Sequence, residues 1–375
     1  MVHYDAIVLG TGGIGSAALY HLARRGVRAI GIDRFHPPHD RGSSHGHTRV
    51  IRQAYFEHPD YVPLLFESYR LWRDLERHTG RQLLHQIGLV EIGPADGVVV
   101  PGVLRAAEQH QLTIELLSAA EIERRWPGLR VSDPLVGVYE PTAGFLLVEE
   151  CVAAHLEAAH DAGAELLPNT EVLNWSAGER GVSVLTSRGE FAAEHLIITA
   201  GAWAGQLLAE LRIPLTVRRK SLFWFATDSA HYDIMSDFPI FLFELPDGVF
   251  YGFPKLDPRG VKIAEHSGGR VVKDPLMVDR SIDSEEQRRS LDILARHLPA
   301  VSPRMSDHCV CLYTMSPDEH FIVDHHPAHA NVAAAAGLSG HGFKFAPVLG
   351  QALADLVLDG GTDLPIEFLS LARFR

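Results

Sequence analysis

The stretch Tyr4–Arg34 constrains the fold more than any other. Asp5-Ala6-Ile7-Val8-Leu9 is a short apolar run of the length of a buried strand. It leads directly into Gly10-Thr11-Gly12-Gly13-Ile14-Gly15, which reads G-x-G-x-x-G. From Ile14 to Arg25, apolar or small residues fall at Ile14, Ala17, Ala18 and Leu22, the spacing of one helix face, and Gly26 supplies a stop. A second apolar run, Val27–Ile32, ends on Asp33, eighteen residues past Gly15. Each residue type has a physical reason. Gly10 permits a tight turn, Gly12 lets the backbone approach a pyrophosphate, and Gly15 lets the helix lie close on the strand. The helix N-terminus offers free N–H groups to phosphates, and Asp33 can accept hydrogen bonds from ribose hydroxyls. The motif alone is weak. Here strand, helix, second strand and acid all stand where a dinucleotide needs them, whether NAD or FAD.

With 375 residues, the chain exceeds one ordinary core, and two domains are expected. A net charge of −13 argues against nucleic acid or an acidic membrane surface as partner. No apolar run nears the roughly twenty residues that span a bilayer. The chain enters a strand within five residues, which leaves no room for a signal peptide, so a cytoplasmic protein is expected. Three cysteines, Cys151, Cys309 and Cys311, suit a reducing compartment. Lysine is scarce, five against 29 arginines, so each retained lysine stands out.

Beyond Asp33, Phe35-His36-Pro37-Pro38-His39 reads as a stiff loop. Gly42–Arg52 then gathers small residues, hydroxyls, two histidines and two arginines, suited to close approach and to phosphate or carboxylate binding, though a polar surface loop would look similar. An amphipathic helix is expected over Tyr61–Thr79, with Leu64, Leu65, Tyr69, Trp72 and Leu75 inward. From Leu83 to Tyr139 the texture changes to short strands and helix, with a new start at Ala119. Phe145–Ala162 reads as helix, and Gly163–Thr170, Val182–Leu185 and Glu194–Ile198 as strands, the last running into Gly201. Leu215–Ala226 opens a second β-rich excursion through Phe250–Pro254 and Val261–His266. Ser284–Leu298 reads as helix, His308–Thr314 and Asn331–Ala336 as strands, and Gly337–Ala346 as a glycine-rich turn into a last helix, Val348–Leu358. In Val261–His266 the strand period places Lys262, Ala264 and His266 on one face, either a cationic site or an exposed sheet face. Cys309, Cys311, His320 and His325 match no structural zinc spacing, and no metal is expected.

Taken together, these motifs resemble the monomeric sarcosine oxidase and N-methyl-L-tryptophan oxidase family of flavin-dependent amine oxidases, over nearly the whole length. The likeness rests on Gly10–Gly15, Pro37-Pro38-His39 with Gly42–Gly46, Thr48-Arg49 with Arg52, Tyr251–Pro254, Cys311–Thr314, Pro317–Asp324 and Gly340–Lys344. It implies FAD as the cofactor. It implies an α/β fold in which a discontinuous Rossmann-like FAD-binding domain (1–82, 142–213 and 316–375) carries a substrate domain on a mixed or antiparallel sheet (83–141 and 214–315). FAD contacts are implied at Gly10, Gly12, Gly13, Ile14, Gly15, Asp33, Arg34, Ser43, Ser44, Arg49, Gly201, Trp203, Gly337, Gly340, Gly342, Phe343 and Lys344. Cys311 is implied to carry the flavin covalently, as an 8α-S-cysteinyl thioether.

The same resemblance implies that Lys262 activates O2 beside the flavin, since a fixed cation stabilises the negative charge developing on oxygen. Arg52 and Lys344 would grip the substrate carboxylate, His45 and Arg49 would lie on the other flavin face, and Tyr251, His266 and Tyr313 would line the substrate cavity. Leu242 stands where sarcosine oxidase carries a methionine, and His266-Ser267-Gly268-Gly269 looks closer to the N-methyltryptophan enzymes. The implied reaction is oxidative N-demethylation of a secondary amino acid such as sarcosine, giving aldehyde, primary amino acid and H2O2. N-methyltryptophan and cyclic imino acids are alternative substrates. A monomer acting on a small amino acid and O2 is expected. An NAD(P)-dependent dehydrogenase would share the first motif but has no use for Cys311 or Lys262. A non-catalytic metal- or nucleotide-binding protein is the other rival.

Overall fold

The strand Val2–Leu9 is wholly buried from Ala6 to Leu9 because neighbours flank it on both edges and helices cover it. It runs parallel to Gly189–Ile198 on one side and to Ala29–Ile32 on the other, and Glu165–Leu167 extends the parallel set. These relations come from a computed structural model that describes residues 2–178 and 180–374. Gly189–Ile198 is long enough to pair twice along its other edge. Its start meets Gly181–Thr186 antiparallel, and its end meets His329–Ala336 parallel. Val172–Gly178 and Ile322–His326 complete this mixed sheet.

The helix Gly13–Ala23 lies directly on the first strand. A Cβ at Gly15 would sit 1.9 Å from the Gly10 carbonyl oxygen, so only glycine permits that approach. The last helix, Ala346–Asp359, packs beside it, with Pro347 in its first turn where no N–H is needed. The expected helix Tyr61–Thr79 forms with those bounds, buries Leu64, Leu65, Tyr69, Trp72 and Leu75, and ends at Gly80 in the left-handed conformation.

A second mixed sheet orders its strands Met305–Met315, Thr216–Phe225, Val261–Glu265, Gly248–Phe253, Ile240–Leu245, Leu89–Pro94, Leu135–Glu140 and Glu115–Ser118. Neighbours are antiparallel except Ile240–Leu245 against Leu89–Pro94. One face carries Phe223, Phe225, Phe241, Phe243 and Phe250, packed with Ile293 and Leu294 of the helix Ser284–His297. The opposite face carries Leu222, Trp224, Leu242, Tyr251, Phe253, Ala264 and Cys311. Strand alternation alone separates the two sets. A small sheet of Thr48–Ile51, Gly144–Leu147 and Leu84–Gln86 sets the backbone that carries Arg49 and Arg52.

The expected helix 145–162 is half corrected. Gly144–Leu147 is a strand, and helix begins only at Val148. An apolar run of that length fits either state, and here two strands stand ready to pair with it. No described helix is long and apolar enough to cross a membrane.

Candidate active site

A long cleft of about 1380 Å³ opens at the C-terminal end of the first strand. Gly10, Gly12, Gly13 and Ile14 floor one end, Asp33, Arg34 and Trp203 flank it, and Ser43, Ser44 and Arg49 line the middle. Gly201, Gly337, Gly340, Gly342 and Phe343 close it. Asp33 accepts from the Thr11 N–H at 2.7 Å, the Thr11 hydroxyl at 3.1 Å and the Phe35 N–H at 2.9 Å. Burial alone would raise its carboxyl, but His39 and these backbone donors outweigh it, so Asp33 is held below the ordinary range and ionised.

A second cavity of about 580 Å³ shares Arg49, Tyr313, Gly340 and Phe343 with the cleft, so the two are contiguous. Its walls are Leu242, Tyr251, His266, Tyr313, Phe56 and Leu89, and its polar end holds Arg52, Glu57, His341 and Lys344. Lys344 is placed by the long helix: its carbonyl accepts from the Trp72 indole at 3.0 Å and from the Ser68 hydroxyl. Its own ammonium donates to the His341 carbonyl at 2.8 Å and approaches the Tyr55 hydroxyl at 3.4 Å.

Arg52 is fully engaged. Its guanidinium donates to both Glu57 oxygens at 2.8 Å and to the Ala54 carbonyl at 3.1 Å, with Glu91 3.6 Å from Nε. It also packs on the Tyr55 and Phe56 rings. Against the upward push of burial, Arg52 holds Glu57 down to about 2. Glu91 lacks such a bond: burial lifts it to about 8, and Oε1 has no hydrogen-bond partner. Lys344 falls to about 7, first through burial and then through the Arg52 charge. Burial raises the Tyr251 and Tyr313 phenols and lowers His266 to about 3, so these walls are neutral near pH 7.

The residues expected around a substrate, Arg52, Leu242, Tyr251, His266, Tyr313 and Lys344, thus meet in one cavity, and most of the expected cofactor residues line the cleft. Gly15 stands behind it. Cys311 also lies just outside the lining, buried, with Sγ 3.1 Å from Arg49 Nη2. Lys262 and His45 line neither space. The Lys262 ammonium is buried against the 46–48 segment, donating to the Gly46 carbonyl at 2.6 Å, the Thr48 carbonyl at 2.9 Å and the Thr48 hydroxyl at 3.0 Å. Lys262 therefore does not reach the cavity that holds His266, although both come from one strand face. His45 is buried behind Arg49, lowered to about 4 chiefly by burial. Sequence reasoning missed Glu57, Glu91, Phe56 and His341. A signal existed only for Glu57, an acid five residues after an arginine already singled out.

Residues 5–356 match the family of FAD-dependent oxidoreductases. The chain belongs to that family. It is 43% identical over 375 residues to the monomeric sarcosine oxidase of Streptomyces avermitilis, covering 99% of this chain and 97% of the relative. It is 37% identical over 375 residues to the N-methyl-L-tryptophan oxidase of Salmonella enteritidis, covering 99% of each. Among solved structures, the open form of NikD, an unusual amino acid oxidase essential for nikkomycin biosynthesis, superposes with TM-score 0.87 at 26% identity, covering 99% and 98% of the two chains. The glycine oxidase of Geobacillus kaustophilus shares the fold with TM-score 0.81 at 22% identity, covering 100% of this chain and 99% of the other.

This FAD-dependent oxidoreductase has a cleft whose own chemistry fits that cofactor. Thr314 Oγ1 and Trp203 Nε1, both on cleft-lining residues, are buried without a hydrogen-bond partner, as expected of groups facing a polar ligand. The Gly13 N–H already donates to Ser44 Oγ at 3.0 Å, joining the phosphate end of the cleft to the 42–52 segment.

The titration of Lys344 yields a test. A carboxylate in the cavity favours the charged ammonium, which is present below about pH 7. Binding of propionate, a carboxylate with no amine to titrate, should be strongest below pH 7. It should weaken as pH rises through that value, by up to about tenfold per unit until the raised pKa of the complex is passed. Flavin absorbance reports the binding. Lys344→Met should remove the slope, and an unchanged slope would contradict the role of Lys344.

Proposed function

We propose that this protein is an FAD-dependent oxidase of secondary, N-methyl amino acids such as sarcosine. The supporting observation is the second cavity: two buried cations at one end, neutral aromatic and aliphatic walls, and a shared border with the dinucleotide cleft. Such a chamber suits a zwitterion held by its carboxylate with its N-alkyl end toward the cleft. In this reading residues 1–82, 142–213 and 316–375 hold FAD, and 83–141 and 214–315 make the substrate unit. Bound there, FAD would supply the acceptor for a hydride equivalent from the carbon next to nitrogen, with O2 as the final acceptor to give H2O2.

The chain's own residues do the rest. Arg52 must turn part of its guanidinium from Glu57 to the arriving carboxylate, and Lys344 supplies the second cation. These cations also disfavour the substrate ammonium, while Tyr251, Tyr313 and His266 offer no negative charge to retain its proton. The amine must react neutral, because hydride loss requires its lone pair. Arg49 donates to the Ser43 and Thr48 carbonyls and to the Cys311 sulfur, and so would hold in place the sulfur that in this reading carries FAD. Lys262 lies beyond the same segment. Burial and then Arg49 push it below the ordinary lysine range, while its three acceptors hold the ammonium in place as the cation that would stabilise negative charge developing on O2. A bulkier N-methyl amino acid is the second reading, favoured by the likeness of His266-Ser267-Gly268-Gly269 to the N-methyltryptophan enzymes.

Peroxide production across N-methyl amino acids tests the function. Activity on sarcosine or N-methyltryptophan, with a loss of about 2–5 kcal/mol in binding for Arg52→Ala, is expected. Methyl esters oxidised as well as the free acids would refute the carboxylate grip. Acid-precipitated, washed protein should stay yellow. Cys311→Ala should release the flavin and Cys309→Ala should not, and colour that washes out of the wild type would end the covalent assignment. Lys262→Met should slow flavin reoxidation by roughly a hundredfold or more in stopped flow while anaerobic reduction falls modestly. The reverse pattern would make Lys262 a substrate-side residue.

A further inference from the structure

Three of the five lysines are buried: Lys220, Lys262 and Lys344. The last two belong to the roles proposed above, and Lys220 does not. It lies in the strand Thr216–Phe225, whose alternation puts it on the same face as Leu222 and Trp224, and its cross-strand partner is Cys311. It is 4% exposed, and among the described residues it makes no ion pair. Its ammonium donates instead to two successive main-chain carbonyls, His266 at 2.7 Å and Ser267 at 2.6 Å. The same nitrogen is 5.1 Å from the centre of the Tyr313 ring. Burial pushes its pKa down to about 8, as befits a buried ammonium without a direct counter-charge.

The segment it holds is thin. On its inner side His266 lines the substrate cavity, with its ring centre 5.7 Å from that of Tyr313. On the outer side Ser267, Gly268, Gly269 and Lys220 itself line an open polar groove. One turn of backbone therefore separates cavity from solvent. Gly268 and Gly269 both have positive φ, +62° and +98°, and bring no side chains to pack the turn. Other bonds hold its ends: His266 N–H to the Val249 carbonyl at 2.7 Å, and Arg218 to the Gly269 carbonyl at 3.0 Å. The carbonyls of residues 266 and 267 are held by Lys220. Gly269 packs on the lysine stem, where a Cβ would meet Lys220 Cε at 3.1 Å and the Arg219 carbonyl oxygen at 2.6 Å.

We propose that Lys220 is a positioning residue that pins the His266–Gly269 turn, fixes the outer wall of the substrate cavity, and so limits how bulky an amino acid it admits. The size limit rests on the proposed reading of that cavity as the substrate site. The pin does not.

Hydrogen exchange on the holoenzyme tests the pin. In Lys220→Met, amides of residues 267–270 should exchange at least tenfold faster, while the strand Gly248–Phe253 keeps its protection. Lys220→Arg, which keeps donors for both carbonyls, should restore it. In the same variants the ratio of kcat/KM for N-methyltryptophan to that for sarcosine should rise about tenfold with Met, chiefly through a lower KM for N-methyltryptophan, and return with Arg. Unchanged exchange in Lys220→Met overturns the proposal, and loosened exchange with an unchanged ratio overturns the size limit. If the wild type oxidises no N-methyl amino acid but Lys220→Met loosens the turn, the pin stands and the substrate reading falls. Should Lys220→Met fail to fold, Gly269→Ala forces the turn off the lysine stem. The same local loosening is then expected, and its absence overturns the pin.

Discussion

The Arg49 guanidinium is the joint between the small sheet and the second mixed sheet. It reaches from the small sheet to the Ser43 and Thr48 carbonyls on its own side and to Cys311 on the other. It lines both the cofactor cleft and the smaller cavity, so the position of this one group defines how they meet. A buried guanidinium keeps its charge, and with several donors in one plane it can satisfy oxygen and sulfur partners together. Lysine could not span the same three partners with the same geometry.

Around that joint the interior is unusually ionic for a cavity this size. Arg52, Lys344 and Glu91 are buried and Glu57 half-buried within one neighbourhood, and their proton affinities diverge because only one pair is bonded directly. Arg52 and Glu57 form the tight pair, while Lys344 and Glu91 remain near neutrality, one losing and one gaining protons within reach of physiological pH. Removing one member of the tight pair strands the other charge, whereas the loose pair can relax by proton exchange with solvent or with each other. Ligand charge is thus absorbed by groups that can titrate, without uncovering a bare ion.

What could be read in advance was what the chain keeps local. The strand, glycine turn, helix and Asp33 are contiguous, and their geometry follows from residue order. The long helix from Tyr61 likewise declares its face and its glycine stop. By contrast, Phe145–Leu147 reads as helix because periodicity cannot see that two partner strands await it. The cavity divides the same way. Its named residues followed from family likeness, but Glu91 lies in the second sheet and Arg52 just past a strand of the small one, and nothing near either in sequence signals their contact. Lys262 and His266 share a strand face yet serve different spaces, because the Gly46–Thr48 segment intervenes.

The dual pairing of Gly189–Ile198 has a consequence for biosynthesis. Its second partner, His329–Ala336, feeds the glycine turn that closes the cleft over a floor made at Gly10–Ile14. Both walls of one ligand site thus come from segments far apart in the polypeptide, residues 10–14 and 337–343. A ribosome-bound chain can form the first strand and helix early, but it holds only half a cradle until residues 337–343 have been made. Such long-range closure is slow and entropically demanding. A cofactor that needs both walls is held fully only once both have formed, and its binding would tie the two distant segments together.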